Sequence, residues 1–172
     1  MNARIRLTAI AWLWGSIALM PASASAQALV YVVRHAERAD GGAGSMNAQT
    51  DPPLSAAGEA RAQKLAATLA DAGIRAIYTS EFVRTKQTAQ PLSVKLNVPV
   101  TASPSANVDA LVARVKREHP DDIVLIVGHS NTIPAIVKAF GGSDVTVADD
   151  DYTSLFVVSP ASRTATRLRF IP

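Results

Sequence analysis

Residues 29–37 read LVYVVRHAE, five apolar residues followed by a segment with an arginine, a histidine and a glutamate. The apolar part does not alternate with polar residues, which is typical of a strand covered on both faces of a sheet. Apolar runs of the same character occur at 76–78 and 123–127. Together the three runs predict a buried and mostly parallel sheet.

Helical patterns separate these runs. Ser55 can cap a helix that extends to about Ala72 and ends at Gly73. Apolar residues at helical spacing predict two more helices, one at Val108, Leu111, Val112 and Val115 and one at Ile133, Ile136, Val137 and Phe140. A run at 155–158 and an alternating segment at 164–170 predict two late strands, the last at an edge. The expected fold class is α/β, a three-layer α/β/α arrangement with a mostly parallel central sheet and an antiparallel edge strand.

Two of the predicted strands lead directly into a histidine. The first run continues into Arg34 and His35, and the run at 123–127 continues into Gly128 and His129. Ligands of open α/β sheets bind at the carboxyl ends of the strands. If the two strands are neighbours, both histidines and Arg34 converge at one edge of the sheet.

Such a pocket suits an anion with tetrahedral oxygens. The guanidinium of Arg34 offers a planar fork of donors to two phosphate oxygens. A neutral His35 can attack phosphorus and form a phosphohistidine, and a protonated His129 can donate to the phosphoryl group as negative charge develops. Arg84 follows a third short strand near the start of a helix and can supply a second fork. A structural role for a buried His35 is the alternative, but it leaves the accompanying arginines unexplained.

Four segments resemble signature motifs of the histidine phosphatase superfamily, the phosphoglycerate-mutase-like group. They are Arg34–Glu37 (RHAE), Leu54–Gly58 (LSAAG), Thr79–Ala89 (TSEFVRTKQTA) and Gly128–Ser130 (GHS). Their order also matches, and the resemblance extends over nearly all of the chain after residue 26. It implies a phosphohistidine at His35 and a phosphate pocket lined by Arg34, Arg84 and His129.

The residue that protonates the leaving oxygen is less clear from the sequence. Members of the family usually carry an acidic residue after the second arginine motif, but residues 97–107 contain no Asp or Glu. Asp109, Glu37 and Glu81 are the candidates; Asp109 is equally explained as a helix N-terminal carboxylate, and each glutamate equally as a partner that orients an arginine.

Further phosphate-binding candidates are Arg38, Ser130 and Asn131. Arg38 reaches either the phosphate or solvent, and Asn131 is also explained as a helix cap. The acidic run at 149–151 lacks the ligand spacing and turn glycine of a calcium loop, so we interpret it as a solvated loop. No metal and no cofactor is expected, because arginines can neutralise the phosphoryl group.

The N-terminal 26 residues have the three parts of a secretory signal peptide. Arg4 and Arg6 precede an apolar stretch at 7–20, and small residues at Ala24 and Ala26 suit cleavage after Ala26. An uncleaved membrane anchor is the alternative, although the apolar stretch is short for a membrane span. We therefore expect an exported, periplasmic protein with a single domain at 27–172 and no stable membrane insertion.

Composition limits the partners. Cleavage would leave 146 of 172 residues and remove two of 17 basic residues, so the remaining formal charge is +1. The basic residues do not cluster on one face, so the sequence gives no indication of nucleic-acid binding. The chain has no cysteine, which excludes disulfides and cysteine nucleophiles.

Residues 39–53, rich in Gly, Ala and polar residues, are predicted to form a flexible loop at the rim of the site.

The sequence thus predicts a metal-independent phosphatase that hydrolyses a phosphomonoester or phosphoprotein through a phosphohistidine on His35. Its substrates would be phosphorylated small molecules, glycans or proteins. An exported phosphate-binding or phosphoglycan-binding protein with little turnover is the alternative. A phosphotransferase or mutase is a third hypothesis, and it requires a second hydroxyl as phosphate acceptor.

Overall fold

The computed structural model describes residues 29–41 and 51–170. The strands in this part of the chain are β1 Leu29–Arg34, β2 Ile74–Thr79, β3 Val100–Ala102, β4 Ile123–Gly128, β5 Ser154–Ser159 and β6 Thr164–Arg169. The helices are α1 Ala56–Thr68, α2 Val83–Leu96, α3 Val108–Glu118 and α4 Ile133–Ala139. The predicted signal peptide at 1–26 lies outside the described residues, as do residues 42–50 of the predicted rim loop.

The strands form one sheet in the order β3-β2-β4-β1-β5-β6. Strands β1 to β4 pair in parallel, whereas β5 pairs antiparallel with both β1 and β6. Because β5 is antiparallel to both of its neighbours, β6 runs in the same direction as β1 to β4, and β5 alone runs in the opposite direction. The predicted class, a mostly parallel sheet with antiparallel pairing at one edge, is confirmed.

Side chains of the central strands alternate between two apolar layers. Val30 and Val32 of β1 pack in a cluster with residues of α3 and α4, whereas Val33 packs with residues of α1 and α2. All three valines are fully buried. Helices therefore cover both faces of the sheet, which explains why the strand sequences are continuously apolar rather than alternating.

The first helix begins as the sequence predicts and ends earlier. The hydroxyl of Ser55 accepts a hydrogen bond from the backbone N–H of Gly58 and caps α1. The helix stops at Thr68, and the chain turns at Gly73, whose φ of +71° favours glycine. The end at Ala72 was therefore wrong by about one turn, because residues 69–73 form the turn into β2.

Strand β3 was not predicted. Its three residues are half-exposed or exposed and contain no apolar run. It pairs only with β2, and the backbone N–H of Ser103 continues the pairing to the carbonyl of Thr79 at 2.9 Å. A short edge strand of this kind leaves little periodic signal in a sequence.

Around residues 38–54, Arg38 and Leu54 form an antiparallel bridge, and Ala39 donates to the carbonyl of Pro53 at 2.9 Å. This bridge closes the base of the predicted rim loop. No described helix is long and apolar enough to span a membrane.

Candidate active site

The register of β1 and β4 places the two histidines side by side. Arg34 and Gly128 are Cα partners, and the backbone N–H of His35 donates to the carbonyl of Gly128 at 3.0 Å. The rings of His35 and His129 consequently lie 5.3 Å apart between centroids. The predicted convergence of both histidines at the carboxyl edge of the sheet is present.

One ring nitrogen of His35 is committed to the backbone. Nδ1 lies 2.8 Å from the carbonyl oxygen of Ala36, and because a carbonyl only accepts, Nδ1 carries the hydrogen. Nε2 then carries the lone pair, and it forms no hydrogen bond with the described residues. Burial, together with the charges of Arg34 and Arg84, lowers the pKa of His35 to about 3. The ring is therefore neutral at pH 7 and presents a nucleophilic Nε2.

Helix α2 holds the segment that follows His35. The backbone N–H of Ala36 donates to Oγ1 of Thr88 at 2.9 Å, and the same hydroxyl donates to the carbonyl of Arg84 at 2.7 Å. Thr88 is 2% exposed, so these bonds are shielded from water. This hydroxyl links the loop that carries the nucleophile to the helix that carries the second arginine.

Glycines allow the close approaches around both histidines. A Cβ on Gly58 would lie 2.2 Å from the carbonyl oxygen of Glu37, and a Cβ on Gly128 would lie 2.9 Å from Oγ1 of Thr132. That Thr132 hydroxyl accepts from the backbone N–H of His129 at 3.0 Å and fixes the turn after β4. The glycines of the LSAAG and GHS segments thus have a steric explanation.

A chain of hydroxyls fixes the ring of His129. Oγ1 of Thr85 lies 2.8 Å from the carbonyl of Phe82 and 2.9 Å from Oγ of Ser80. Because a carbonyl only accepts, the single hydrogen of Thr85 goes to Phe82, and Ser80 donates to Thr85. Ser80 then accepts from Nε2 of His129, which lies 2.9 Å away. The proton of a neutral His129 is therefore on Nε2.

The other nitrogen of His129, Nδ1, is buried and has no hydrogen-bond partner among the described residues. Burial, followed by the charge of Arg84, lowers the pKa of this histidine to about 4. In the pocket by itself His129 is therefore neutral at pH 7, and the protonated donor that the sequence analysis considers requires a higher pKa. A phosphate group next to Nδ1 would add negative charge and raise the pKa.

Arg34 is held by the segment that precedes β5. Its Nη1 donates to the carbonyl of Ala148 at 3.3 Å and also to that of Asp149. Its guanidinium carbon lies 4.1 Å from the ring centroid of Tyr152, in cation–π geometry. The Nε atom of Arg34 is buried without a hydrogen-bond partner in the described part of the chain.

Arg84 lies in the first turn of α2 and is 3% exposed. Its Nη1 pairs with a carboxylate oxygen of Asp51 at 3.3 Å, and its guanidinium carbon lies 4.2 Å from the ring centroid of Phe82. Asp51 also accepts from the backbone N–H of Val83 and so caps the helix. Nε of Arg84 is a third buried nitrogen without a partner in the described residues.

The remaining phosphate-binding candidates have different surroundings. Arg38 is buried rather than solvated and pairs with the carboxylate of Asp40. Ser130 donates to a carboxylate oxygen of Asp149 at 2.6 Å. Asn131 is exposed, and it lines a cavity of about 290 Å³ that also contacts Arg84 and His129.

The three acidic candidates for the proton donor differ in position. Both oxygens of Glu37 accept from Arg61, and although burial alone would raise the pKa of Glu37, these bonds hold it below its usual range. Asp109 is exposed in the first turn of α3 and does not line the cavity beside His129. Glu81 does line that cavity.

Glu81 is fixed by one serine. Its carboxylate accepts from the backbone N–H of Ser105 at 2.7 Å and from its hydroxyl at 3.0 Å. Burial alone would raise the pKa of Glu81, but a hydrogen bond from its own backbone N–H and the two bonds from Ser105 lower this pKa below its usual range. The three carboxyl groups thus separate into an arginine partner, a solvated helix terminus and a fixed charge on the cavity wall.

Sequence reasoning missed Tyr152, Asp51 and the contacts of Ser80, Thr85 and Thr88. The last three lie inside the quoted TSEFVRTKQTA segment, so their polar character was a usable signal. Tyr152 lies far from the motifs along the chain, and its ring centroid is 6.1 Å from that of His35. No cluster of three or more His, Cys, Asp or Glu side chains that could hold a metal ion occurs among the residues the structure describes.

Part of this chain is similar in sequence to known proteins. A protein of Yersinia enterocolitica named "Probable phosphoglycerate mutase" is 35% identical over 75 residues, which are 44% of this chain and 35% of that protein. This chain therefore matches only about a third of the length of that curated relative.

Solved structures share the fold at low sequence identity. The α-ribazole phosphatase of Shigella flexneri has a TM-score of 0.64 at 18% identity, covering 83% of this chain and 95% of that one. A mycobacterial glucosyl-3-phosphoglycerate phosphatase in complex with VO3 has a TM-score of 0.62 at 16% identity, covering 84% and 99%. Residues 30–107, which include Arg34, His35 and Arg84, match the family described as Histidine phosphatase superfamily (branch 1). The stretch 30–107, somewhat under half of the chain, thus carries the histidine phosphatase superfamily pattern.

Proposed function

We propose that this protein is a metal-independent phosphatase that hydrolyses phosphomonoesters through a phosphohistidine on His35. The observation that carries the proposal is the hydrogen bond from Nδ1 of His35 to the carbonyl of Ala36. This bond fixes the tautomer in which Nε2 holds a lone pair, and the low pKa keeps the lone pair available. A nucleophile needs a free lone pair, and a histidine with only a structural role does not.

The unpartnered nitrogens around His35, two on arginines and one on a histidine that gains a proton when its pKa rises beside phosphate, support phosphate as the electrophile. Arg34, Arg84 and His129 each have one buried nitrogen without a partner among the described residues. Burying such groups unpaired costs free energy, which a phosphate group that accepts hydrogen bonds would recover. We infer that these three residues bind the phosphoryl oxygens.

The reaction proceeds in two displacements. Nε2 of His35 forms a bond to phosphorus while the bond from phosphorus to the ester oxygen breaks, and the departing oxygen takes up a proton as the alcohol leaves. A water oxygen then attacks phosphorus, the N–P bond breaks with its electrons returning to Nε2, and inorganic phosphate leaves. Arginine and histidine donors stabilise the charge that develops on the phosphoryl oxygens in both steps.

Protonation of the leaving oxygen is the step with the least support from the site. Glu37 is engaged by Arg61, and the pKa of Glu81 is lowered rather than raised. An acid catalyst needs a raised pKa near the working pH. We therefore expect that aryl esters, whose leaving oxygens need little protonation, react faster than alkyl esters.

The relatives favour phosphoryl transfer in general. Two solved neighbours are named phosphatases, and one of them binds VO3. The curated relative is named for a mutase, in which phosphate passes to a second hydroxyl rather than to water. A binding protein without turnover is a further candidate, because no carboxyl group in the described site has the raised pKa of a proton donor.

An assay with para-nitrophenyl phosphate in excess EDTA tests the proposal. We expect release of para-nitrophenol that is lost in His35→Ala and retained in His119→Ala, a histidine that pairs with Asp122 away from the site. After rapid quenching, labelled phosphate bound to the protein should survive alkali, decay in acid and be absent from His35→Ala. Equal turnover in wild type and His35→Ala would exclude His35 as the nucleophile.

Vanadate titration tests the anion pocket, and natural phosphoesters separate the binding protein from the enzyme. Both hypotheses predict vanadate binding that weakens in Arg34→Ala and Arg84→Ala. A protein that binds vanadate but neither hydrolyses a panel of natural phosphoesters nor forms the alkali-stable adduct would support the binding function instead.

We further propose that the protein is exported after cleavage behind Ala26. The support is the sequence pattern of residues 1–26. Expression of the full chain in a bacterium, followed by fractionation and N-terminal sequencing, tests this. We expect a periplasmic protein that begins at Gln27, whereas an intact N-terminus in the membrane fraction would support the anchor.

A further inference from the structure

The cavity of about 290 Å³ next to the two histidines has a wall that the phosphate chemistry does not use. Glu81 and Phe82 contribute to it from the loop before α2, Ser105 from the loop before α3, and Asn131 from the loop before α4. Because Arg84 and His129 also line the cavity, it is continuous with the phosphate pocket. A phosphate bound by these two residues would direct its ester group into this space.

The cavity wall carries one positive and one negative side chain. Arg84 and Glu81 are the charged residues on it, and in the pocket by itself the ring of His129 is neutral at pH 7. Arg84 interacts with the charges of Asp51 and Glu81 and would also contact the phosphate. The hydrogen-bond donors to Glu81 are neutral, namely its own backbone N–H and the N–H and hydroxyl of Ser105, so this exposed side chain keeps its negative charge on the wall.

Two loops hold the Glu81 carboxylate in a fixed position. The hydrogen bonds of Glu81 reach 24 residues along the chain and join the β2–α2 loop to the β3–α3 loop. Each carboxylate oxygen can accept more than one hydrogen bond, so capacity remains for a ligand hydroxyl or ammonium group. The amide of Asn131 and the edge of Phe82 add a neutral donor and an apolar surface.

We propose that this cavity is the leaving-group subsite and that Glu81 makes it select small neutral polyhydroxylated or amine-bearing leaving groups over anionic ones. The inference rests on the proposed phosphatase function for the position of the phosphate. A cavity of about 290 Å³ holds the volume of roughly ten water molecules, which is enough for a three-carbon leaving group. A carboxylate on the leaving group would lie next to the Glu81 charge, and like charges at such distances disfavour binding by about tenfold or more.

Equilibrium binding tests the subsite without depending on turnover. The two probes are sn-glycerol 3-phosphate and 3-phosphoglycerate, which differ by a hydroxymethyl group in place of a carboxylate. Calorimetry in the His35→Ala protein should give a Kd about tenfold or more lower for the glycerol ester. In His35→Ala/Glu81→Gln, which keeps the shape of the side chain and removes its charge, the ratio of the two Kd values should fall toward one. Glu59→Gln on α1 is the matched control and should leave the ratio unchanged.

Turnover in the protein with His35 intact gives the second readout. The ratio of kcat/KM for the same two esters should narrow in Glu81→Gln, whereas a proton-donor role for Glu81 would lower both values together and leave the ratio unchanged. An unchanged ratio in either measurement would overturn the proposal. So would tighter binding of 3-phosphoglycerate, or binding of inorganic phosphate with neither ester. If the wild-type protein hydrolyses neither ester, but the two Kd values differ as expected and Glu81→Gln removes the difference, the result would count against the phosphatase function alone.

Discussion

The hydroxyl of Ser80 lies 2.9 Å from Nε2 of His129 and fixes which nitrogen of this ring carries the proton. Ser80 is 6% exposed and donates its own hydrogen to Thr85, which in turn donates to the carbonyl of Phe82 at the start of α2. This carbonyl therefore sets the direction of all the hydrogen bonds in the chain. His129 can therefore present only Nδ1 to a phosphate, and Nδ1 must gain a proton to donate.

Removal of this hydroxyl should weaken catalysis. In Ser80→Ala the ring of His129 loses its fixed tautomer, and we expect kcat/KM for para-nitrophenyl phosphate to fall about tenfold, as for one lost buried hydrogen bond. Ser162→Ala, on the exposed turn between β5 and β6, is the control. Unchanged kinetics in Ser80→Ala would show that the hydroxyl chain does not position His129.

The histidines should also make stability depend on pH. The pKa is about 3 for His35 and about 4 for His129, whereas a histidine in the unfolded chain titrates near its ordinary value of 6.5. As pH falls below 6.5, the unfolded chain gains protons that the folded protein does not, so stability is present above pH 6.5 and is lost toward pH 4. Each histidine contributes a slope of at most about 1.4 kcal/mol per pH unit in this window.

Urea unfolding at pH 7 and pH 5 measures this slope. His35→Asn should reduce the difference in unfolding free energy between the two pH values, whereas His119→Asn serves as the control. Carboxylates with lowered pKa values, such as Glu37, lose most of their contribution to stability below the ordinary glutamate pKa of 4.5, which lies outside the interval measured. Equal slopes in wild type and His35→Asn would contradict a buried neutral His35.

The sequence predicted the paired histidines for a physical reason. Strands covered on both faces need continuous apolar side chains, so the polar residue that ends each run is conspicuous. Parallel neighbours place those ends at one edge, as the pairing of Arg34 with Gly128 does here. The apolar runs and the charged residues that end them were therefore sufficient to predict that Arg34, His35 and His129 lie together.

Other parts of the site depend on contacts that leave no local pattern. Tyr152 precedes β5, and its approach to Arg34 results from the antiparallel pairing of β5 with β1. The protonation state of His129 depends on burial and on Arg84, which a sequence motif does not express. Glu37 seemed an acid candidate because its partner Arg61 lies on a helix 24 residues later.

Gly58 should not tolerate a methyl group. Its added Cβ would lie 2.2 Å from the carbonyl oxygen of Glu37, in the backbone that follows the nucleophile. This overlap with backbone should cost about 1–3 kcal/mol, and because alanine favours helices by about 1 kcal/mol over glycine, the net destabilisation of Gly58→Ala should be up to about 2 kcal/mol. Thermal unfolding measures the effect, with Gln63→Ala on the exposed face of α1 as control. A more stable Gly58→Ala protein would contradict the close approach.

Variants of Tyr152 distinguish two contacts that hold Arg34, the cation–π contact of the ring and the hydrogen bond of the phenol oxygen. The ring centroid lies 4.1 Å from the guanidinium carbon, whereas the phenol oxygen lies 3.4 Å from Nη2, near the limit of a hydrogen bond. If the ring positions the arginine, Tyr152→Phe should keep kcat/KM within about twofold, because the cation–π contact survives. Tyr152→Ala should lower it by roughly fivefold to tenfold, in line with about 1 kcal/mol or more for a desolvated cation–π pair, mainly through a higher KM. Steady-state kinetics of both variants, with vanadate affinity measured in parallel, tests this. Equal losses in the phenylalanine and alanine variants would assign the role to the hydroxyl, and no loss in either would show that the carbonyls of Ala148 and Asp149 suffice to hold the guanidinium.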